Sequence, residues 1–169
     1  MYSASDLSPS SNGGPFLGFN RYATQFTKLP ISASTQDNPY SKLHFGKLKP
    51  HILLVEDDPV AQKINVLFLN QFGCEVAVAS TGSEAFEKYN NTIDLILLDI
   101  GLPDISGTSV CKQIRTLPSG HNVPIIALTA HGGEIKEECL AVGINEVAVK
   151  PILIQELFYL LQRWLNTQK

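Results

Sequence analysis

The sequence predicts an α/β protein: a doubly wound, five-stranded parallel sheet in strand order 2-1-3-4-5, with helices on both faces, behind an N-terminal extension without regular structure. Three observations lead there. Short apolar runs alternate five times with segments of helical period, and the connections are short. The runs are apolar almost throughout rather than at alternate residues, which implies burial on both faces. Polar residues of a distinctive kind gather where the runs end, at the edge where ligands sit in such sheets.

HILLV (51–55) is the first strand-like run. Asp58-Pro59 then opens a helix, because Asp caps well and Pro suits the first helical position. Val60, Ile64, Leu67, Phe68 and Phe72 continue at helical period, and Gly73 stops the helix. CEVAVA (74–79) is the second strand. Thr81 or Gly82 starts a helix carrying Ala85, Phe86 and Tyr89. IDLILLD (93–99) is the third strand. A helix over 106–117 places Val110, Ile114 and Leu117 on one side. VPIIALT (123–129) is the fourth strand. The fourth helix falls within 133–142 and Gly143 ends it. NEVAVK (145–150) is the fifth strand. Ile154, Leu157, Phe158, Leu161, Trp164 and Leu165 form the apolar stripe of the last helix, with Tyr159 and Leu160 off that stripe.

Residues 1–49 read differently. They are rich in Ser, Gly, Pro and Asn, which marks a flexible tail or linker ahead of a folded unit at 50–169. Within it, Phe16, Phe19, Tyr22 (or Ala23) and Phe26 fall near helical spacing. A short docking helix is one reading; aromatics in an unstructured terminus is the preferred one. Residues 1–49 carry five Lys/Arg against two Asp/Glu, and residues 50–169 carry eight against fourteen. The acidic folded part suits a metal cation or a basic partner rather than nucleic acid. Cys74, Cys111 and Cys139 are scattered without metal-site spacing, as in reduced thiols of a cytoplasmic protein. MYSASDLSPSS shows no basic region followed by an apolar stretch, so no secretory signal is expected; no apolar run approaches the roughly 18–20 residues of a membrane span, so no membrane contact is expected.

The carboxyl ends of the strands carry the chemistry. Glu56 and Asp57 end the first strand and Asp99 ends the third. Strands one and three are neighbours, so three carboxylates converge. Like charges that close are costly unless a cation joins them, and an all-oxygen cluster suits Mg²⁺ or Mn²⁺. Asp58 is assigned to the helix cap. Thr129 brings a hydroxyl from strand four and Lys150 an ammonium from strand five. A metal, a carboxylate nucleophile, a hydroxyl and a lysine make a phosphoryl-transfer set. Taken singly, each residue has an ordinary surface explanation; five of them at four strand ends on one edge do not.

VEDDP, LLDIGLPDISG, IIALTAH and AVKPI together resemble the receiver domain of two-component response regulators over about residues 50–169, in style closest to receivers of hybrid sensor histidine kinases. The fold that this resemblance implies is CheY-like and flavodoxin-like. It implies that Asp99 accepts a phosphoryl group from a phosphohistidine donor, with Glu56 and Asp57 as the acidic pair for Mg²⁺. Asp57, Asp99 and the Gly101 backbone carbonyl are the implied ligands. Thr129 and Lys150 would contact the phosphoryl group, Pro103 and Gly107 would shape the acceptor loop, and Lys150–Pro151 would be a cis bond. The implied partners are a sensor histidine kinase or a histidine phosphotransfer protein, and a downstream protein read through the strand 4/helix 5 face. A phosphorylation-dependent homodimer is also open. The protein would be a signalling receiver rather than an enzyme, catalysing only its own aspartyl phosphorylation and dephosphorylation.

Three positions depart from the family pattern or extend it. Val147 stands where an aromatic switch residue is common, Ser106 where an acid often precedes the loop glycine, and His131 follows Thr129 closely enough to border the site. No output domain is expected in this sequence, so output is expected through protein contact or phosphoryl shuttling. Two rival readings remain. One is a receiver-like interaction module that works without phosphorylation. The other is a Mg²⁺-dependent small-molecule phosphohydrolase, whose DxDx[TV] signature is missing.

Overall fold

The computed structural model describes residues 49–130, 133 and 135–166. The expectations for the tail, its aromatic segment and His131 lie outside the described residues. Strands β1 (His51–Val55), β2 (Glu75–Ala79), β3 (Leu95–Asp99), β4 (Ile125–Thr129) and β5 (Glu146–Val149) form one sheet in the order β2-β1-β3-β4-β5. All four pairings are parallel. Helices α1 (Pro59–Gln71), α2 (Gly82–Lys88), α3 (Gly107–Thr116), α4 (Lys136–Ala141) and α5 (Ile154–Leu165) connect and follow the strands. A 3₁₀ turn at Pro118–Gly120 follows α3; the sequence reading did not include it.

Burial follows position in the sheet. Every residue of β3 and β4 is buried, whereas the edge strands β2 and β5 are partly open. Strand alternation divides the core into two layers. Ile52, Leu54, Leu97 and Leu128 pack with Leu69 of α1 and Leu161 of α5. Leu53, Val55, Ile96 and Ala127 pack with Val110 of α3 and Cys139 of α4. Gly73 and Gly143 have φ of 82° and 95° and end α1 and α4 in the left-handed conformation that glycine tolerates.

Helix α1 departs from the expected phase. Val60, Ile64 and Leu67 are exposed, at 63%, 44% and 66%. Phe68 and Phe72 pack on the core as expected, and Asn65 and Leu69 turn inward in place of the other three. The helix start explains this. Asp58 Oδ1 accepts the N–H groups of Val60 and Ala61. Gln62 Nε2 donates to the Glu56 carbonyl and to Ser80 Oγ. With Gln62 fixed against the ends of β1 and β2, residues 65, 69 and 72 follow on the same face.

Helix α5 also buries more than its expected stripe. Leu160 is 5% exposed and belongs to the core, while Tyr159 is 45% exposed. Leu160 lies three residues after Leu157 and four before Trp164, on a stripe wider than the one anticipated. Leu117, expected on the core face of the third helix, is 40% exposed. It caps α3 in an extended conformation, consistent with the proline that follows it.

Candidate functional site

The register assembles the site. Val55 pairs with Leu98, so Glu56 arrives beside Asp99. Asp99 pairs with Leu128, and Thr129 with Val149, one residue before Lys150. Lys150 N donates to the Thr129 carbonyl at 2.8 Å, which continues the ladder past β5. Asp99, Gly101, Thr129 and Lys150 line an open crevice of about 550 Å³, with Ile100, Ala130 and Ile135 as its other walls.

Glu56 is fully buried, and Asp99 and Thr129 are 6% and 4% exposed. Asp57 is exposed. Lys150 Nζ lies 2.6 Å from Asp99 Oδ2 and 2.7 Å from both oxygens of Glu56. The contact to Glu56 Oε1 has hydrogen-bond geometry, whereas Oε2 is a buried oxygen with ionic contact but no hydrogen-bond donor. Asp99 Oδ1 accepts the Gly101 N–H at 2.9 Å.

One ammonium therefore serves two buried carboxylates, and it cannot neutralise both. Burial pushes the Glu56 carboxyl above its ordinary value; Lys150 opposes this and Asp99 reinforces it. For Lys150, burial favours the neutral amine, but bonds to Asp99 and Glu56 outweigh that and hold its pKa above the ordinary value. The two shifts look opposed. They describe one surplus of negative charge, which falls on the most buried carboxyl.

That surplus is what a cation would relieve. One oxygen from each of Glu56, Asp57 and Asp99 lies within 4.8 Å of the others. The set is all oxygen and has an exposed member, which suits a hard, partly hydrated divalent ion such as Mg²⁺. The under-bonded Glu56 Oε2 adds an acceptor. The residues present thus fit the group.

The loop from Ile100 to Ser106 is drawn tight. Gly107 N donates to the Ile100 carbonyl at 3.1 Å, and a Cβ on Gly107 would stand 2.3 Å from the Asp99 carbonyl oxygen. Ser106 Oγ accepts the Ser109 N–H and caps α3, the task an acid would have at that position. The Lys150–Pro151 bond is cis. Val147 is partly buried against the β4 side of the core. Sequence reasoning missed Gln62, whose amide holds the backbone at the end of β1, and the pairing of Lys150 with Glu56. A polar residue in phase with Asn65, Leu69 and Phe72 was the available signal for Gln62.

Comparison with known proteins agrees with this geometry. Residues 52–162 match the family model described as response regulator receiver domain. The chain is 40% identical over 161 residues to the transcription factor SKN7 of Chaetomium thermophilum, covering 93% of this chain but 20% of that protein. It superposes with TM-score 0.63 and 38% identity on the receiver domain of sensor histidine kinase PA1611 from Pseudomonas aeruginosa, covering 69% of this chain and 98% of that one. That structure carries a magnesium ion coordinated in its active-site cleft. It also resembles, with TM-score 0.64 and 29% identity over 71% of this chain and 91% of the other, a structure from Saccharomyces cerevisiae. There, the receiver domain of the response regulator Ssk1 is bound to the histidine phosphotransfer protein Ypd1. The match to SKN7 thus spans about a fifth of that protein's length. Among the described residues, no helix is long and apolar enough to cross a membrane. With the acidic crevice at the strand ends and the family model spanning well over half of the chain, this protein belongs to the response regulator receiver domain family.

Proposed function

We propose that residues 50–169 form a phosphoaccepting receiver that takes a phosphoryl group from a phosphohistidine onto Asp99, with residues 1–49 as its linker. The observation that carries this reading is the position of Asp99. It is nearly buried at the floor of an open crevice, with Lys150 on one oxygen and two further carboxylates beside it. Glu56, Asp57, Asp99 and the Gly101 carbonyl would hold Mg²⁺ or Mn²⁺, which when bound supplies positive charge against the phosphoryl oxygens.

An Asp99 carboxylate oxygen attacks the phosphorus of the donor. The new P–O bond forms as the P–N bond breaks; the departing imidazole nitrogen keeps the electron pair, and the ring leaves as neutral imidazole with its proton on the other nitrogen. Lys150, already 2.6 Å from Asp99, follows the new charge onto the phosphoryl group. The Thr129 hydroxyl donates to it from the neighbouring strand. The phosphoryl group adds about −1.5 to −2 charge, and its contacts with Thr129 and Lys150 bias β4, α4, β5 and α5 toward a second arrangement.

The donor is a histidine phosphotransfer protein or a sensor kinase, a reading supported by the Ypd1 complex and the kinase receiver. Output runs through a protein contact on the β4/α5 face, with a phosphorylation-dependent homodimer as one form, in the cytoplasm. The protein's only catalysis is that of its own phosphorylation and dephosphorylation. The test is transfer from a labelled phosphohistidine protein. Label should move to the wild-type chain when Mg²⁺ is present and should not move to Asp99→Asn. Equal labelling of both chains would place the acceptor elsewhere.

A further inference from the structure

Asp104 lies in the acceptor loop but belongs to no part of the crevice described above. Its carboxylate reaches across to the start of α2. Oδ1 accepts the Gly82 N–H at 2.8 Å. Oδ2 accepts the Ser83 N–H and the Ser83 hydroxyl, each at 2.9 Å. The next residue, Ile105, packs so closely on the same helix end that a Cβ on Gly82 would stand 2.3 Å from Ile105 Cγ1. Two different contacts therefore fasten the loop to the first turn of α2, one charged and one apolar.

The chain between Asp104 and Gly101 is stiff. Pro103 has a fixed φ, and Leu102, preceding a proline, is confined to extended conformations. Few free torsions separate the anchored carboxylate from the Gly101 backbone, whose N–H is bonded to Asp99. Three donors from α2 occupy both Asp104 oxygens. Amide N–H groups hold its carboxyl well below the ordinary range, so it stays an anion tied to the helix.

We infer that Asp104 is a positioning residue for cation binding: by fastening the acceptor loop to the N-terminus of α2, it sets the Gly101 backbone beside Asp99 before the cation arrives. Ordering the loop in advance removes a conformational cost from binding. This inference rests on the cation reading of the site given above.

The test is calorimetric titration of the full chain with Mg²⁺ alone, beside hydrogen exchange of the metal-free protein. Three variants are compared with wild type: Asp104→Ala, Asp104→Asn and Thr81→Ala. Thr81 caps the same helix end through the Glu84 N–H and makes no part of the loop. Asp104→Ala should weaken Mg²⁺ binding about tenfold and speed exchange of the Gly82, Ser83 and Gly101 amides. Asp104→Asn, whose carbonyl can still accept one amide, should fall between. Thr81→Ala should lower thermal stability with Mg²⁺ affinity unchanged. Wild-type affinity in Asp104→Ala, or an equal loss in Thr81→Ala, would reduce Asp104 to a helix cap and overturn the inference. Absence of Mg²⁺ uptake by the wild type would instead remove the underlying reading of the site.

Discussion

At the amino edge of the sheet, the guanidinium of Arg115 donates to the carbonyls of Gly120, Val123 and Gly143 and to the Asn145 side chain. At the carboxyl edge, the ammonium of Lys150 is shared by Asp99 and Glu56. Both cations are partly buried and both tie distant parts of the chain together. Their partners differ. Arg115 meets neutral oxygens in fixed directions, and Asn145 passes the connection on by accepting the Ile125 N–H. Burial lowers the Arg115 pKa, yet the group remains a fully bonded cation. Lys150 meets two carboxylates and leaves negative charge over. The closed cluster holds α3, β4 and β5 in place. The open one retains a demand for positive charge, and that demand makes it the candidate site.

The comparison can be broken first at the closed edge. Arg115→Met leaves several carbonyls without their donor and should cost about 2–4 kcal/mol of unfolding free energy in urea titration. Mg²⁺ affinity should stay the same, because no ligand moves. A loss of affinity as large as the loss of stability would show that the two edges are one unit. At the open edge, Lys150→Met should cost about 1–3 kcal/mol in metal-free protein, since it leaves Asp99 and Glu56 without their shared donor. Added Mg²⁺ should raise the melting temperature of this variant by more than it raises that of wild type. An equal rise would mean that Lys150 and the cation do not answer the same charge.

Asn145→Ala should cost about 1–2 kcal/mol, and in a double-mutant cycle it should couple to Arg115→Met by more than about 0.5 kcal/mol. Additive losses would dissolve the amino-edge cluster into separate bonds. The smallest effect belongs to the outward face of α1. Leu67→Ala should change stability by less than about 0.5 kcal/mol, whereas Leu69→Ala, two residues on and fully buried, should cost about 2–5 kcal/mol.

That last pair marks where the sequence could be read and where it could not. Strands such as LILLD announce themselves, because a short run buried on both faces has no other use for its composition. The carboxylates, Thr129 and Lys150 were legible because each sits at the end of such a run, and parallel register carries run ends to one edge. Helix α1 was harder. It offers two apolar stripes, and the choice between them is made by Gln62 bonding to Glu56 and Ser80, groups far apart in sequence. Leu160 was misplaced for a related reason, since the stripe of α5 is wide enough to hide its edge. Arg115 and Asp104 gave no local signal at all. Most of their partners are backbone groups from outside their own segments, and no residue type marks those positions.

The central claim is that the surplus charge at the carboxyl edge serves phosphoryl acceptance at Asp99. Intact mass after incubation with Mg²⁺ and acetyl phosphate tests it most directly, with Asp99→Asn alongside. The account predicts a gain of one phosphoryl group, about 80 Da, lost when Mg²⁺ is removed and absent in the variant. An unchanged mass in a folded, Mg²⁺-binding wild type that also stays unlabelled by a phosphohistidine donor would contradict it.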